Sequence, residues 1–180
     1  MGLHTLVLLR HGEYDTSDIG TFALTPRGRR QAEHAAEALA RTSFDRVTSS
    51  TMVRARETAE IVCAKLGVPC KVSSSLAEGM PTRLKSAKIS EEEVRADLVR
   101  LDAAYDRFFQ PTPKDRTDLL VCHANVIRYF VTRVLAIRAR AWTRLVANHC
   151  SLTRVLVLPT GATRLVSYNE TGHLPPHEQT

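Results

Sequence analysis

Two short, uninterrupted apolar runs, LVLL at 6–9 and LLVC at 119–122, constrain this chain more than any other feature. Each has strand length and no polar alternation, so each reads as a strand buried on both faces. A sheet built around such strands needs helices on both sides. LTPRGRRQAEHAAEALA reads as a helix capped by Thr25, with Pro26 at its first position and Ala32, Ala35, Ala36 and Leu39 facing inward. FDRVTS reads as a short strand, TMVRARETAEIVCAKLG as a second helix stopped by Gly67, and CKVSS as a third strand.

Residues 77–89 read as loop, and 90–109 as a helix opened by a Ser90–Glu93 capping box, with Val94, Leu98, Leu101, Tyr105 and Phe108 along one side. The linker QPTPKDRT leads into the strand DLLVC. NVIRYFVTRVLA then reads as a helix with Ile127, Phe130, Val131 and Val134 inward. SLTRVLVLP and ATRLVSY, joined at Thr160–Gly161, read as a hairpin, and 170–180 as an extended tail. Strands alternating with helices imply crossover units. The expectation is one α/β domain over residues 1–180, with three α/β/α layers and a mostly parallel sheet carrying an antiparallel edge hairpin.

At 180 residues with 43% hydrophobic content, the chain can bury one substantial core and is not a disordered polymer. No stretch has transmembrane length, and no secretory signal precedes the first strand. The four cysteines form no C-x-x-C pair. They read as small apolar fillers of a reduced, cytoplasmic protein. A net charge of +6, with arginine outnumbering lysine about four to one, favours anionic partners. The arginines are scattered and lack an interleaved aromatic stripe, so nucleic acid is not expected, and neither is a membrane partner. A phosphorylated substrate suits the charge.

Both apolar runs end on a histidine, His11 in RHG and His123 in HAN. Ligands of open α/β sheets sit beyond the carboxyl ends of the strands, so the two imidazoles are candidates to share one pocket. Either alone reads more readily as a hydrogen-bonded structural or surface residue. In SSTMVRARET, Arg54 stands near a helix start, where the dipole favours anions over cations. It is either a solvated partner of Glu57 or, with the helix amides, an oxyanion site. Glu78, in the loop SLAEGMP, gains meaning only from this company.

Taken in order, Arg10-His11-Gly12, LTPRGRRQAE, SSTMVRARETAEI, LAEGMP and VCHANVIRYF resemble the histidine phosphatase superfamily, the phosphoglycerate mutase-like fold. With AWTRL, N-x-x-S-x-T and TGHLPP, the chain is most similar to the branch of mitochondrial Ser/Thr protein phosphatases, over residues 5–176. That resemblance implies His11 as nucleophile and Glu78 as general acid, then base. It implies Arg10, Arg54, His123, Ser17 and the amide at Ala124 as phosphate contacts, with no metal and no cofactor. Positive charge on Arg10, Arg54 and His123 would keep His11 neutral, and Glu78 would be partly buried. Ser17 stands where the mutases usually carry Asn.

The expected function is thus a metal-independent phosphomonoesterase acting on phosphoserine or phosphothreonine in proteins, with small phosphate esters as the alternative. A mutase-type isomerase and a non-catalytic phosphoprotein-binding module are further alternatives. The isomerase is disfavoured because residues 80–117 lack a substrate-closing insertion, and the binding module because it would not need Glu78. The chain opens at its first strand, so the branch's membrane anchor and higher assembly are not expected; a homodimer is implied by the resemblance alone.

Overall fold

Ten regular elements succeed one another along the chain: β1 (His4–Arg10), α1 (Pro26–Leu39), β2 (Arg46–Ser50), α2 (Val53–Leu66), β3 (Cys70–Ser73), α3 (Glu91–Phe108), β4 (Arg116–Cys122), α4 (Ala124–Val134), β5 (Leu152–Val157) and β6 (Thr163–Glu170). They come from a computed structural model that describes residues 1–18, 20–83 and 88–180. Residues 84–87 of the expected 77–89 loop, and Ile19 of the loop after β1, lie outside the described residues.

The strands form one six-stranded sheet in the order β3-β2-β4-β1-β5-β6. The first four run parallel, and β5 and β6 add an antiparallel hairpin at the far edge. The two apolar runs are neighbours at its centre. Leu6, Leu8, Leu120 and Cys122 face one layer with Phe108, Ile127 and Phe130. Val7, Leu9, Leu119 and Val121 face the other, with Ala32, Ala35, Leu39 and Val62. Period-two alternation of strand side chains thus turns each continuous apolar run into two half-cores, one under α3 and α4 and the other under α1 and α2. The three-layer α/β architecture is as expected.

Caps set the helix bounds. The Thr25 hydroxyl accepts the Gly28 N–H, Ser90 and Glu93 form the reciprocal box, and Gly67 stops α2 in the left-handed region at φ 64°. Three features depart from the sequence reading. β4 begins at Arg116 inside the expected linker, because Arg116 and Thr117 pair with His4 and Thr5. The fully buried Asp118 beside them is held by Arg46, Arg116 and His4. The segment before β5 holds an unanticipated 3₁₀ turn, Ala139–Arg144, with Trp142 buried and its Nε1–H donating to Thr82 Oγ1 at 2.8 Å. The tail is not extended coil. Its buried Glu178 binds Arg30, and Gln31 Nε2 donates to the Glu178 carbonyl at 2.6 Å and to Thr180 Oγ1 at 3.0 Å. No helix among the described residues is long and apolar enough to cross a membrane.

The chain leaving β1 presses directly on α1. A Cβ built on Gly28 would run into the Glu13 backbone, and one on Gly12 into the Gly28 carbonyl. Neither obstacle is a side chain that could swing aside. Gly28→Ala is expected to lower stability by about 1–3 kcal/mol, seen as a lower urea midpoint. Gly172→Ala, which meets nothing within 4 Å, is expected to stay within about 0.5 kcal/mol of the parent.

Candidate active site

Three adjacent parallel strands deliver the site. Arg10 pairs with Cys122 across β1 and β4, and Ser49 pairs with Val121 across β2 and β4, so the three carboxyl ends lie level. One residue on, His11 N–H donates to the Cys122 carbonyl at 3.0 Å. His11 and His123 therefore leave the sheet side by side, with ring centroids 5.0 Å apart. Both are buried, at 1% and 0% exposure.

Hydrogen bonds assign the proton on the His11 ring. Arg54 Nε–H donates to His11 Nε2 at 3.1 Å, so Nε2 carries a lone pair, and Nδ1–H is held by the Gly12 carbonyl at 2.8 Å. His123 Nε2 lies 2.8 Å from Ser50 Oγ, which also accepts the Met52 N–H at 3.3 Å. His123 Nδ1 is buried and without a protein partner, as is Arg10 Nε.

Arg54, 6% exposed, does not pair with Glu57. Glu57 instead takes Arg29 and the Leu24 N–H. The Arg54 guanidinium lies over the Tyr14 ring at 4.7 Å, and the Tyr14 edge meets His11 at 5.3 Å. Arg10 Nη1 donates to the Ala147 carbonyl at 2.6 Å and Nη2 to His149 Nε2 at 2.7 Å. Below the pocket, Thr58 ties Gly12 N–H to the Arg54 carbonyl.

Glu78 arrives from a different direction and is half-buried. Its Oε1 accepts the Asn125 N–H in the open first turn of α4, at 3.2 Å. Its loop is clamped from α3: Arg100 donates to the carbonyls of Ser75, Ala77 and Glu78, while Asp97 accepts from Arg100 and from Met80 N–H. Asn125 Nδ2 adds a bond to the Gly79 carbonyl. Ala124 is the first residue of α4 and is buried beside His123. Ser17 is not part of this group. It is exposed, and its hydroxyl and amide both bind Asp15 Oδ1 in a local turn, at 2.6 and 2.8 Å.

Burial is the main cause of the electrostatic shifts. It lowers His11 well below the ordinary 6.5, with His123, Arg10 and Arg54 adding to the effect against the Gly12 bond. Burial, then Arg54 and Arg10, brings His123 down to about 2. His123 is therefore neutral and does not carry the positive charge assigned to it from the sequence. Arg10 falls to about 10 through burial. The Glu78 carboxyl is pushed up by burial, against the pull of Arg54 and Arg10. Among the described residues, no three His, Cys, Asp or Glu side chains gather as a metal site.

Sequence reasoning overlooked Tyr14, Ser50, Asn125, Arg100 and His149. His149 had a findable signal. β5 runs antiparallel to β1, so the residues just before β5 must lie beside the end of β1. Arg10 N–H bonds the Ser151 carbonyl, and Cys150 N–H bonds that of His11. Arg100 carried no such signal, because its task depends on how α3 packs.

Residues 6–98 match the family described as the histidine phosphatase superfamily, branch 1. A curated relative from Caenorhabditis elegans, named serine/threonine-protein phosphatase Pgam5, mitochondrial, is 38% identical over 185 residues. That match takes in 96% of this chain and 65% of the relative, so the chain spans just under two thirds of its length. A phosphoglycerate mutase from Plasmodium falciparum superposes with a TM-score of 0.68 at 26% identity, covering 98% of this chain and 96% of the mutase. An Escherichia coli protein titled a putative alpha-ribazole-5'-P phosphatase has the same fold, with a TM-score of 0.76 at 22% identity over 93% and 96% of the two chains.

These matches also correct one expectation. The cytoplasmic location read from cysteine usage does not stand, because the curated relatives matching almost the whole chain are named mitochondrial. Unbridged thiols specify a reducing environment, and that condition does not single out the cytosol.

The buried neutral histidines tie stability to pH. An unfolded histidine takes up a proton as the pH falls through 6.5, whereas folded His11 and His123 resist it, so acid favours unfolding. Glu78, with its raised carboxyl, works in the opposite direction at lower pH. Urea unfolding is expected to show lower stability at pH 5.5 than at 7.5, by about 1 kcal/mol for each of His11 and His123, with His149, which burial brings down to about 3, adding in the same direction. His123→Gln, which cannot titrate, is expected to shrink that difference; an unchanged difference would place His123 in water.

Proposed function

Because the chain belongs to the histidine phosphatase superfamily, branch 1, we propose that it is a phosphomonoesterase working through a phosphohistidine on His11. One observation carries the reading. A neutral imidazole offers its Nε2 lone pair to Arg54, and two buried nitrogens of the same site, Arg10 Nε and His123 Nδ1, have no protein partner. A phosphoryl group satisfies all of them. Its oxygens take N–H groups from Arg54, Arg10 and His123, which frees the lone pair to attack phosphorus.

As the N–P bond forms, the ester P–O bond breaks. Glu78, whose carboxyl burial pushes up, gives its proton to the departing oxygen. Water then attacks the phosphohistidine and passes its proton back to the Glu78 carboxylate; the P–N bond breaks and inorganic phosphate leaves. Arg10 and Arg54 hold the spreading equatorial charge with planar, bidentate donors and supply locally the positive charge the transition state needs. The Gly12 carbonyl on Nδ1–H keeps the ring in the attacking tautomer and eases its passage through a positively charged intermediate. Arg100, Asp97 and Asn125 hold the acid in place without touching substrate.

For the substrate we propose phosphoserine or phosphothreonine in proteins. Relatives at 36–38% identity named Ser/Thr-protein phosphatases support this, and so does the net charge of +6, which attracts acidic phosphopeptides.

Hydrolysis of p-nitrophenyl phosphate in excess EDTA, with an acid-labile phosphoenzyme trapped on rapid quench, is the expected result, and His11→Ala should abolish both. A wild type that binds phosphopeptides but turns over no phosphoester would leave a binding module. Glu78→Gln is expected to lose about 10²–10⁴-fold on alkyl phosphates and much less on p-nitrophenyl phosphate, whose leaving group needs little protonation. Equal losses on both would remove Glu78 as the acid.

A further inference from the structure

Four thiols take no part in the proposed reaction, and they are of two kinds. Cys122 and Cys150 are fully buried in different apolar layers, and burial raises both. Cys63 and Cys70 are brought together. Cys63 lies in the last turn of α2, and Cys70 opens β3, the outermost strand of the sheet. Between them the left-handed Gly67 turns the chain, and Val68 N–H closes back on the Cys63 carbonyl at 3.3 Å. Cys70 pairs with Val47 of β2 and packs against the apolar layer that contains Cys63. Ala59, one turn before Cys63 on the same face of α2, lines a groove together with Cys70.

Their surroundings give them unequal roles. Cys63 is 8% exposed. Cys70 is half-buried and lines an open groove of about 450 Å³ with Ser49, Arg56, Glu60 and Val72. The Cys70 thiol donates to the Lys71 carbonyl at 3.4 Å. The neighbouring Cys63 thiol and Ser49 backbone lower the Cys70 pKa, against burial and the nearby Glu60, and the Cys63 thiol is driven up. One thiol is thus reachable and more easily ionised, and the other is shielded in the layer against which it packs, the arrangement of an attacking and a resolving cysteine.

We propose that Cys63 and Cys70 form a peroxide-oxidised dithiol in which Cys70 reacts first and Cys63 closes the disulfide. The Cys70 sulfur attacks one oxygen of hydrogen peroxide, and the O–O bond breaks. The hydroxide released takes up the thiol proton as water, leaving a sulfenic acid on Cys70. The Cys63 sulfur then attacks the Cys70 sulfur; the S–S bond forms, the S–O bond breaks, and hydroxide leaves as water with the Cys63 proton. Two thiols lose two electrons and one peroxide becomes two waters. The bridge ties the end of α2 to the edge strand within an eight-residue segment, 63–70. This site is independent of the phosphatase reading and stands or falls without it.

Peroxide treatment, then alkylation and intact-mass measurement, tests it. The wild type is expected to lose two hydrogens, to keep two alkylatable thiols, and to yield a reducible link between Cys63 and Cys70 in a non-reducing digest. Cys63→Ser is expected to stop at one added oxygen on Cys70, captured by dimedone, and Cys70→Ser to keep its three thiols. Four alkylatable thiols after peroxide would overturn the proposal, as would an intermolecular bridge, or first oxidation at Cys63, Cys122 or Cys150. Because the wild-type digest alone shows whether the bridge forms, the outcome does not depend on either variant folding.

Discussion

The parallel, in-register pairing of β1 with β4 is the constraint on which the rest of the site depends. It sets Arg10 opposite Cys122 and so sends His11 and His123 out of the sheet at the same level. A slip of one residue would turn every side chain of one strand to the opposite face, exchanging the two half-cores and separating the imidazoles. The register is pinned at both ends. At the far end, His4 Nδ1 bonds the Gln110 carbonyl and Nε2 meets Asp118, which Arg46 and Arg116 also hold. At the near end, His11 N–H binds Cys122 and Gly12 N–H binds Thr58. Apolar pattern makes the strands; buried polar contacts choose their alignment.

The same burial that stabilises the sheet sets the chemistry at its edge. Two guanidinium groups and two imidazoles crowd together with Glu78 as the carboxylate among them. Water is too scarce there to screen the cations. Charging either imidazole is therefore costly, and a neutral nucleophile persists at a pH where a free histidine would begin to protonate. Burial acts on Glu78 in the opposite sense and raises its carboxyl. One low-dielectric pocket thus prepares a neutral nucleophile and an acid of raised pKa, with cations waiting for an anion. The two buried nitrogens without partners are the structural sign of that preorganisation.

Glu78 shows how much support a loop residue needs to act as an acid. Three side chains from two helices, Asp97, Arg100 and Asn125, bond its backbone or that of its neighbours. Gly79 lies so close beneath Asp97 and Arg100 that a Cβ there would collide with both. The clamping Asp97 and Arg100 lie 19 and 22 residues beyond Glu78, on a helix with its own core face fixed by Leu101, Ala104 and Phe108. Packing of α3 therefore reaches the reacting end of Glu78 through two hydrogen-bonded side chains.

Local rules in the chain determined a great deal: the two central strands from their unbroken apolar runs, α1 from Thr25 and Pro26, α3 from its Ser90–Glu93 box, and the end of α2 from Gly67. These signals work over a few residues, where propensity and capping act without tertiary help. The placement of His11, Arg10, Arg54, His123 and Ala124 at the sheet edge was legible too, since a residue at a strand end or a helix start is carried there by the element itself; Glu78, a loop residue, was picked out only by the family resemblance. Tertiary structure alone decided which neighbours they meet. It gave Glu57 to Arg29, brought His149 to Arg10 across the antiparallel strand, made His123 neutral and folded the tail onto Gln31. Each of these depends on burial and on contacts between distant segments, and no property of a single stretch of sequence records either.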